Sequence, residues 1–280
     1  MKKIFIAYLT LMLNTCTWAQ NEQLKGQQLS LDVRIQGKTY KLEAMLYKPK
    51  GIEAATFPLI ISTHGRYGPS PPRMPNEIFG LSAMARELAA NGFMVLHLVR
   101  RGYGNSEGPD SELMTTAEAS GLAGAQDIAA AVTLMRQRPD VQPNRIAIIG
   151  QSQGGWMALA SSTLPMNGVM GIVNFSGATN FAEAKNYSIH TYAVENQMKE
   201  AATSYGKLSR IPVLWLYASN DNHSASTIKD WFRSFQTSGG KGRLVFTEAF
   251  HPRGHAVVSS PSYYIDTLLG FFSEIGLTEK

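Results

Sequence analysis

The stretch Ile146-Ala147-Ile148-Ile149-Gly150-Gln151-Ser152-Gln153-Gly154-Gly155 decides the fold. Four apolar residues run into a glycine-flanked serine, and Trp156-Met157-Ala158-Leu159-Ala160 follows with the composition of a helix. A short continuous apolar run fits a strand buried on both faces, as in parallel sheets. Between that strand and the helix the chain must reverse within a few residues. Side chains at Gly150 or Gly154 would collide with neighbouring backbone in such a turn, so both glycines have a steric reason. The turn would lift Ser152 Oγ clear of the sheet's C-terminal edge and aim the Gln153 backbone N–H at whatever the serine attacks. The plainer reading is a Gly/Ser loop that matches G-x-S-x-G by chance; its position between a buried strand and a helix favours a nucleophile elbow.

Outward from the elbow, apolar strands and helical patterns alternate. Upstream, residues 57–62 and 93–98 read as strands, with Leu81, Met84, Ala85, Leu88 and Ala89 at helical spacing between them. Thr115-Thr116-Ala117-Glu118 reads as a capping box for a helix that buries Leu122, Ala125, Ile128 and Val132. Downstream, residues 169–175, 211–217 and 243–246 are further strands, and Ser260 and Pro261 open a last helix with Leu268 and Phe272 on its buried face. Such alternation predicts a parallel sheet. Ahead of it, residues 29–35 and 40–47 alternate with period two across Gln36-Gly37-Lys38, which predicts an antiparallel hairpin with one wet face. The expected architecture is α/β: a mostly parallel central sheet with an N-terminal antiparallel hairpin and helices on both faces. Between about 178 and 210 the apolar runs disappear, and Tyr187, His190, Tyr192 and Met198 sit among polar residues. This stretch reads as a short cap insertion or, equally, as an ordinary surface helix pair.

The 280 residues with 44% apolar content suit one such domain, spanning 20–280. Before it, Met1-Lys2-Lys3, an apolar run over 4–13 and Thr17-Trp18-Ala19 have the layout of a signal peptide, with about ten apolar residues, too few to span a bilayer. A secreted or periplasmic protein with no stable membrane anchor after cleavage is expected. The one cysteine, Cys16, lies in that leader, so the remaining chain has no thiol for a disulfide. Losing Lys2 and Lys3 takes the formal charge from +5 to +3, and the basic residues are scattered without aromatic interleaving. Nucleic-acid binding has no support in that pattern.

Thr63-His64-Gly65 and Gly150-Gln151-Ser152-Gln153-Gly154-Gly155 together resemble the α/β-hydrolase superfamily, in its dienelactone-hydrolase-like and acyl-peptidase-like branch. The resemblance covers nearly the whole chain after the leader and implies a Ser-His-Asp acyl-transfer enzyme without metal or organic cofactor. It implies Ser152 as nucleophile, Asp221, after the strand at 211–217, as triad acid, and His255, just before the last helix, as base. His251 is the alternative base, and an Asx turn or helix cap is the alternative role for Asp221. By position after His64-Gly65, Arg66 would supply the second oxyanion N–H beside Gln153, with Tyr67 the next candidate. His64 and His97 read as hydrogen-bonded structural histidines, and Asp127 as a solvated or structural acid. From loop position alone, Tyr67, Trp156 and Arg101 are candidates to touch substrate.

The chemistry has a simple logic. A serine hydroxyl is a poor nucleophile at neutral pH, whereas an imidazole of ordinary pKa about 6.5 can take its proton and return it to the leaving group. Carboxylic-ester hydrolysis is the first reading; the resemblance departs at the nucleophile, which in dienelactone hydrolases is cysteine, so the dienelactone itself is not the expected ester. Two other readings stay open: an acyl-peptidase-like peptidase, although only a hairpin precedes the catalytic strands, and a silent binding protein on the same fold.

Overall fold

The period-two pattern near the N-terminus has the expected outcome. In the computed structural model, which describes residues 24–51, 56–66, 81–179, 181 and 192–278, strands β1 (Gln27–Ile35) and β2 (Lys38–Tyr47) pair antiparallel. They turn at Gln36 and Gly37, both with positive φ (48° and 81°). Alternate residues Leu31, Val33 and Ile35 of β1, and Leu42, Ala44 and Leu46 of β2, face the core. The expected leader at 1–19 and Tyr67 lie outside the described residues.

β2 pairs antiparallel with β4 (Met94–Leu98), which docks the hairpin on five further strands that are all parallel to β4. These are β3 (Phe57–Thr63), β5 (Val141–Gln151), β6 (Val169–Phe175), β7 (Val213–Ala218) and β8 (Gly242–Thr247). The eight form one sheet in the order β1-β2-β4-β3-β5-β6-β7-β8. Helices cover both faces. Helices α1 (Leu81–Ala90) and α6 (Ile265–Glu274) share a core with Ile60, Ala147 and Ile149. On the other face, Leu59, Ile61, Ile146 and Ile148 meet α2 (Ala117–Met135), α3 (Gln153–Ser161), α4 (Tyr192–Leu208) and α5 (Ala225–Thr237). Successive residues of β3 and β5 thus enter opposite cores, which is why their sequence is an unbroken apolar run. Truncating one of them, as in Ile148→Ala, would cost about 2–5 kcal/mol.

Three of the boundaries that differ from the sequence reading stand out. Thr116, not Thr115, caps α2: its backbone is extended and its hydroxyl accepts the Ala119 N–H at 3.1 Å, three residues ahead as cap geometry requires. Strand β5 begins at Val141, because Val141 still pairs with Phe57 before the register shifts. Pro261 starts a short 3-10 turn, with no side-chain cap from Ser260, and α6 begins only at Ile265. The described part of the expected insertion, α4, buries Val194, Met198, Ala201 and Tyr205 in the same core as α2. Residues 180 and 182–191, including Tyr187 and His190, lie outside the described residues.

Parallel pairing matters because it brings one end of every strand to the same edge. Thr63 stands beside Gly150, Gly150 beside Asn174, Phe175 beside Leu216, and Ala218 beside Thr247. The loops leaving those strands gather there.

Candidate active site

Ser152 sits between β5 and α3 with φ 56° and ψ −121°, a conformation that side chains rarely adopt. A Cβ at Gly150 would run into the Gly154 carbonyl, and one at Gly154 into the carbonyls of Thr63 and His64. The two glycines therefore let the turn close against the neighbouring strand. Its strained serine is held by three backbone hydrogen bonds: Ser152 N–H to Phe175 O (2.9 Å), and Trp156 N–H (3.1 Å) and Ala178 N–H (3.2 Å) to Ser152 O. Such strain costs about 1–3 kcal/mol and persists only when the surroundings impose it.

The Ser152 hydroxyl lies 2.9 Å from Nε2 of His255, which comes from the short helical segment Gly254–Ser259 after β8. On the other side of the ring, Nδ1 lies 3.2 Å from Oδ1 of Asp221, just beyond β7. An ionised carboxylate can only accept, so Nδ1 carries the proton and the Nε2 lone pair faces the serine. The Asp221 side chain is fully buried. Burial pushes its carboxyl up, but the hydrogen bond and charge of His255, with the Ser176 hydroxyl (2.6 Å) and the Asn222 N–H, more than offset this. The net effect holds it below the usual carboxylate value. Asn220 ties the two loops together: its amide donates to Phe250 O at 3.1 Å and its carbonyl accepts the Phe250 N–H at 2.9 Å.

On the opposite flank, Gly65 passes so close that a Cβ there would stand 2.9 Å from Ser152 Cβ. Arg66, the next residue, is exposed, and its Nε donates to Glu112 at 2.7 Å. Gln153 is the first residue of α3, so its N–H has no intrahelical acceptor. Its side chain is pinned from three directions: its amide N–H donates to Glu112 (2.9 Å), and its carbonyl accepts from Tyr103 OH and from Arg100 (2.9 Å each). His64 holds the loop as expected. Its Nδ1–H donates to Gly65 O at 2.7 Å and its Nε2 accepts the Arg100 N–H at 3.2 Å. Burial, then the Arg100 charge, keeps that imidazole neutral.

A cleft of about 180 Å³ opens over these groups, walled by Arg66, Ser152, Gln153, Thr179, His223 and His255 among others. Thr179 and His223 carried no signal in the sequence. His223 stands edge-on to Trp231 at 4.9 Å, with Nδ1 3.7 Å from Glu195, which links the cleft wall to α4. Ser176 was legible only as the end of a strand. Two expectations are corrected. Trp156 is fully buried and donates its indole N–H to Ala117 O at 3.1 Å, because one helical turn past Ser152 faces the core. Arg101 is also buried, paired with Asp127 at 2.5 Å, and it does not line the cleft. Asp127 is accordingly a structural acid.

Residues 73–253 match the Dienelactone hydrolase family, a window that includes Ser152 and Asp221 and ends two residues before His255. The quorum-quenching protein AidA of Acinetobacter baumannii is 33% identical over 135 residues, 48% of this chain and 40% of that protein. The chain thus spans well under two thirds of that relative. Among solved structures, the acylaminoacyl peptidase of Pyrococcus horikoshii superposes with a TM-score of 0.61 at 18% identity, over 90% of this chain and 42% of that one. The esterase Pf2001 of Pyrococcus furiosus gives 0.58 at 13%, over 89% and 92%. At such identities the likeness is one of fold, the α/β-hydrolase fold. No helix among the described residues is long and apolar enough to cross a membrane. With more than half of its length matched, the chain belongs to the dienelactone hydrolase family of α/β-hydrolases.

Proposed function

We propose that this protein is a secreted serine hydrolase that cleaves small carboxylic esters through an acyl-enzyme on Ser152. The observation that carries the reading is the chain of contacts from Ser152 Oγ through His255 to buried Asp221, at 2.9 and 3.2 Å. His255 takes the Ser152 proton as Oγ bonds to the ester carbonyl carbon, and the negative oxygen turns to the N–H groups of Gln153 and Arg66. Asp221 keeps the imidazole in the useful tautomer and stabilises the imidazolium. The intermediate collapses, the ester C–O bond breaks, and the alcohol leaves with the proton from His255. Water, deprotonated by His255, then releases the acid.

The part of the cleft bounded by described residues measures about 180 Å³ around the scissile bond. Short-chain esters are therefore the first substrates to assay. Secretion rests on the leader-like stretch at 1–19. The test is labelling with a fluorophosphonate beside Ser152→Ala and His255→Ala, with short-chain esters and aminoacyl amides assayed in parallel. Labelling of the wild type alone, with ester turnover, supports the proposal. A folded wild type that neither labels nor turns over ester would sink it, and preference for amides would move it to a peptidase.

A further inference from the structure

We infer that Arg100 is a positioning residue for the oxyanion hole, one buried guanidinium that sets both N–H donors. The inference rests on the serine-hydrolase reading and extends it to a side chain outside the cleft. Arg100 follows β4 and is almost wholly buried. One of its terminal nitrogens donates to Thr63 Oγ1 (3.0 Å) and to the His64 carbonyl; the other donates to Gly65 O (3.3 Å) and to Gln153 Oε1 (2.9 Å).

Those acceptors lie on the two segments that would hold the oxyanion. Gly65 O belongs to the same peptide unit as the Arg66 N–H, and in a trans peptide the two point in opposite directions. Drawing Gly65 O towards Arg100, with the second bond from His64 Nδ1, therefore aims the Arg66 N–H the other way. On the second segment, the grip on the Gln153 side chain fixes the first residue of α3, whose N–H is the other donor. A cation is suited to this task. It gathers the negative ends of His64 O, Gly65 O and Gln153 Oε1 on itself, away from the place where an oxyanion would form.

The charge balance points the same way. Arg101 is hydrogen-bonded to Asp127, and Glu112 accepts from Arg66. Among the described residues, every hydrogen bond of the Arg100 guanidinium ends on a neutral oxygen, although Asp127 is close enough to feel its charge. A buried cation with no carboxylate bonded to it is costly to keep. Behind an oxyanion hole, the same charge favours the tetrahedral intermediate over the neutral substrate.

The experiment compares Arg100→Met and Arg100→Lys with the wild-type full chain, using ester kinetics and inhibition by an alkyl boronic acid, which forms a tetrahedral adduct with Ser152. Arg100→Met should lower kcat by about 10- to 100-fold with KM within about twofold, and weaken the boronate by a similar factor. Arg100→Lys keeps the charge but has no planar fork to span Gly65 O and Gln153 Oε1, so its loss should be intermediate. A folded Arg100→Met with wild-type kcat, or with reduced kcat but undiminished boronate affinity, overturns the inference. Should Arg100→Met not fold, Arg100→Lys decides by the same two readouts, and wild-type values there overturn it. A silent wild type would instead sink the hydrolase reading itself.

Discussion

Ser152 and Ser176 directly follow neighbouring strands, β5 and β6, and both hold a positive φ, 56° and 50°. The hydroxyls then part company. Ser152 Oγ faces the lone pair of an imidazole, whereas Ser176 Oγ donates to the buried carboxylate of Asp221 at 2.6 Å. A base beside the first can remove its proton; an anion beside the second holds its proton in place. Backbone strain therefore marks the region of the site, and the partner of each hydroxyl sets its role.

The largest test of that contrast is Ser152→Ala, which should reduce kcat/KM for an ester by at least about 10⁴-fold. Asp221→Asn should follow with about 10³- to 10⁴-fold, since the amide can present its N–H to Nδ1 and so favour the wrong tautomer. Equal losses for Ser152→Ala and Ser176→Ala would break the comparison. Instead Ser176→Ala should cost roughly tenfold, the worth of one charge-assisted hydrogen bond to Asp221, and leave fluorophosphonate labelling intact.

The histidines divide in the same way. His255 borders the cleft, while His64 and His97 are buried behind it, His97 with Nδ1 3.1 Å from Ser62 Oγ. Burial, then Arg100, lowers both, His97 to about 3. Below about pH 6.5 the unfolded chain takes up protons that the native state refuses, so stability should fall as pH drops from there towards 3. Each histidine contributes a slope of up to about 1.4 kcal/mol per pH unit within its window. Asp127, whose carboxyl burial raises, offsets part of this at the acid end. Urea denaturation at pH 7, 6 and 5 reads the effect, and a flat profile would refute it.

The smallest expected effect sharpens the serine comparison. Ser152→Gly should raise stability by about 1 kcal/mol, because glycine takes a positive φ without strain. Ser176→Gly should gain less, since it also gives up the bond to Asp221. Thermal melts of the two variants settle the order.

Much of this arrangement was legible in the sequence because it depends on chain order. Parallel strands must deliver their C-terminal loops to one edge, so the residues after the strands at 146–149 and 211–217, and before the last helix, had to meet there. The elbow motif pointed to Ser152 and the family resemblance to Asp221 and His255; the geometry brings those three together, and chain order explains why they meet. Chain order could not say which way a side chain turns. Arg100 and Arg101 are adjacent and alike, yet one bonds to Gly65 and Gln153 and the other pairs with Asp127 on α2. Trp156 follows the elbow closely in sequence but packs against Tyr205 and, edge-on, Trp231 in the core. Ser176 carried no motif, because its role comes from a partner 45 residues later.

The order of these groups along the chain also sets a schedule. Ribosomes make Ser152 first, then Asp221, and His255 last, 103 residues after Ser152. A nascent chain that has emerged only through β7 holds a serine with no base to activate it. On the serine-hydrolase proposal, chemistry at this site waits until all eight strands have been translated, and a chain cut short before Gly254 should be inert.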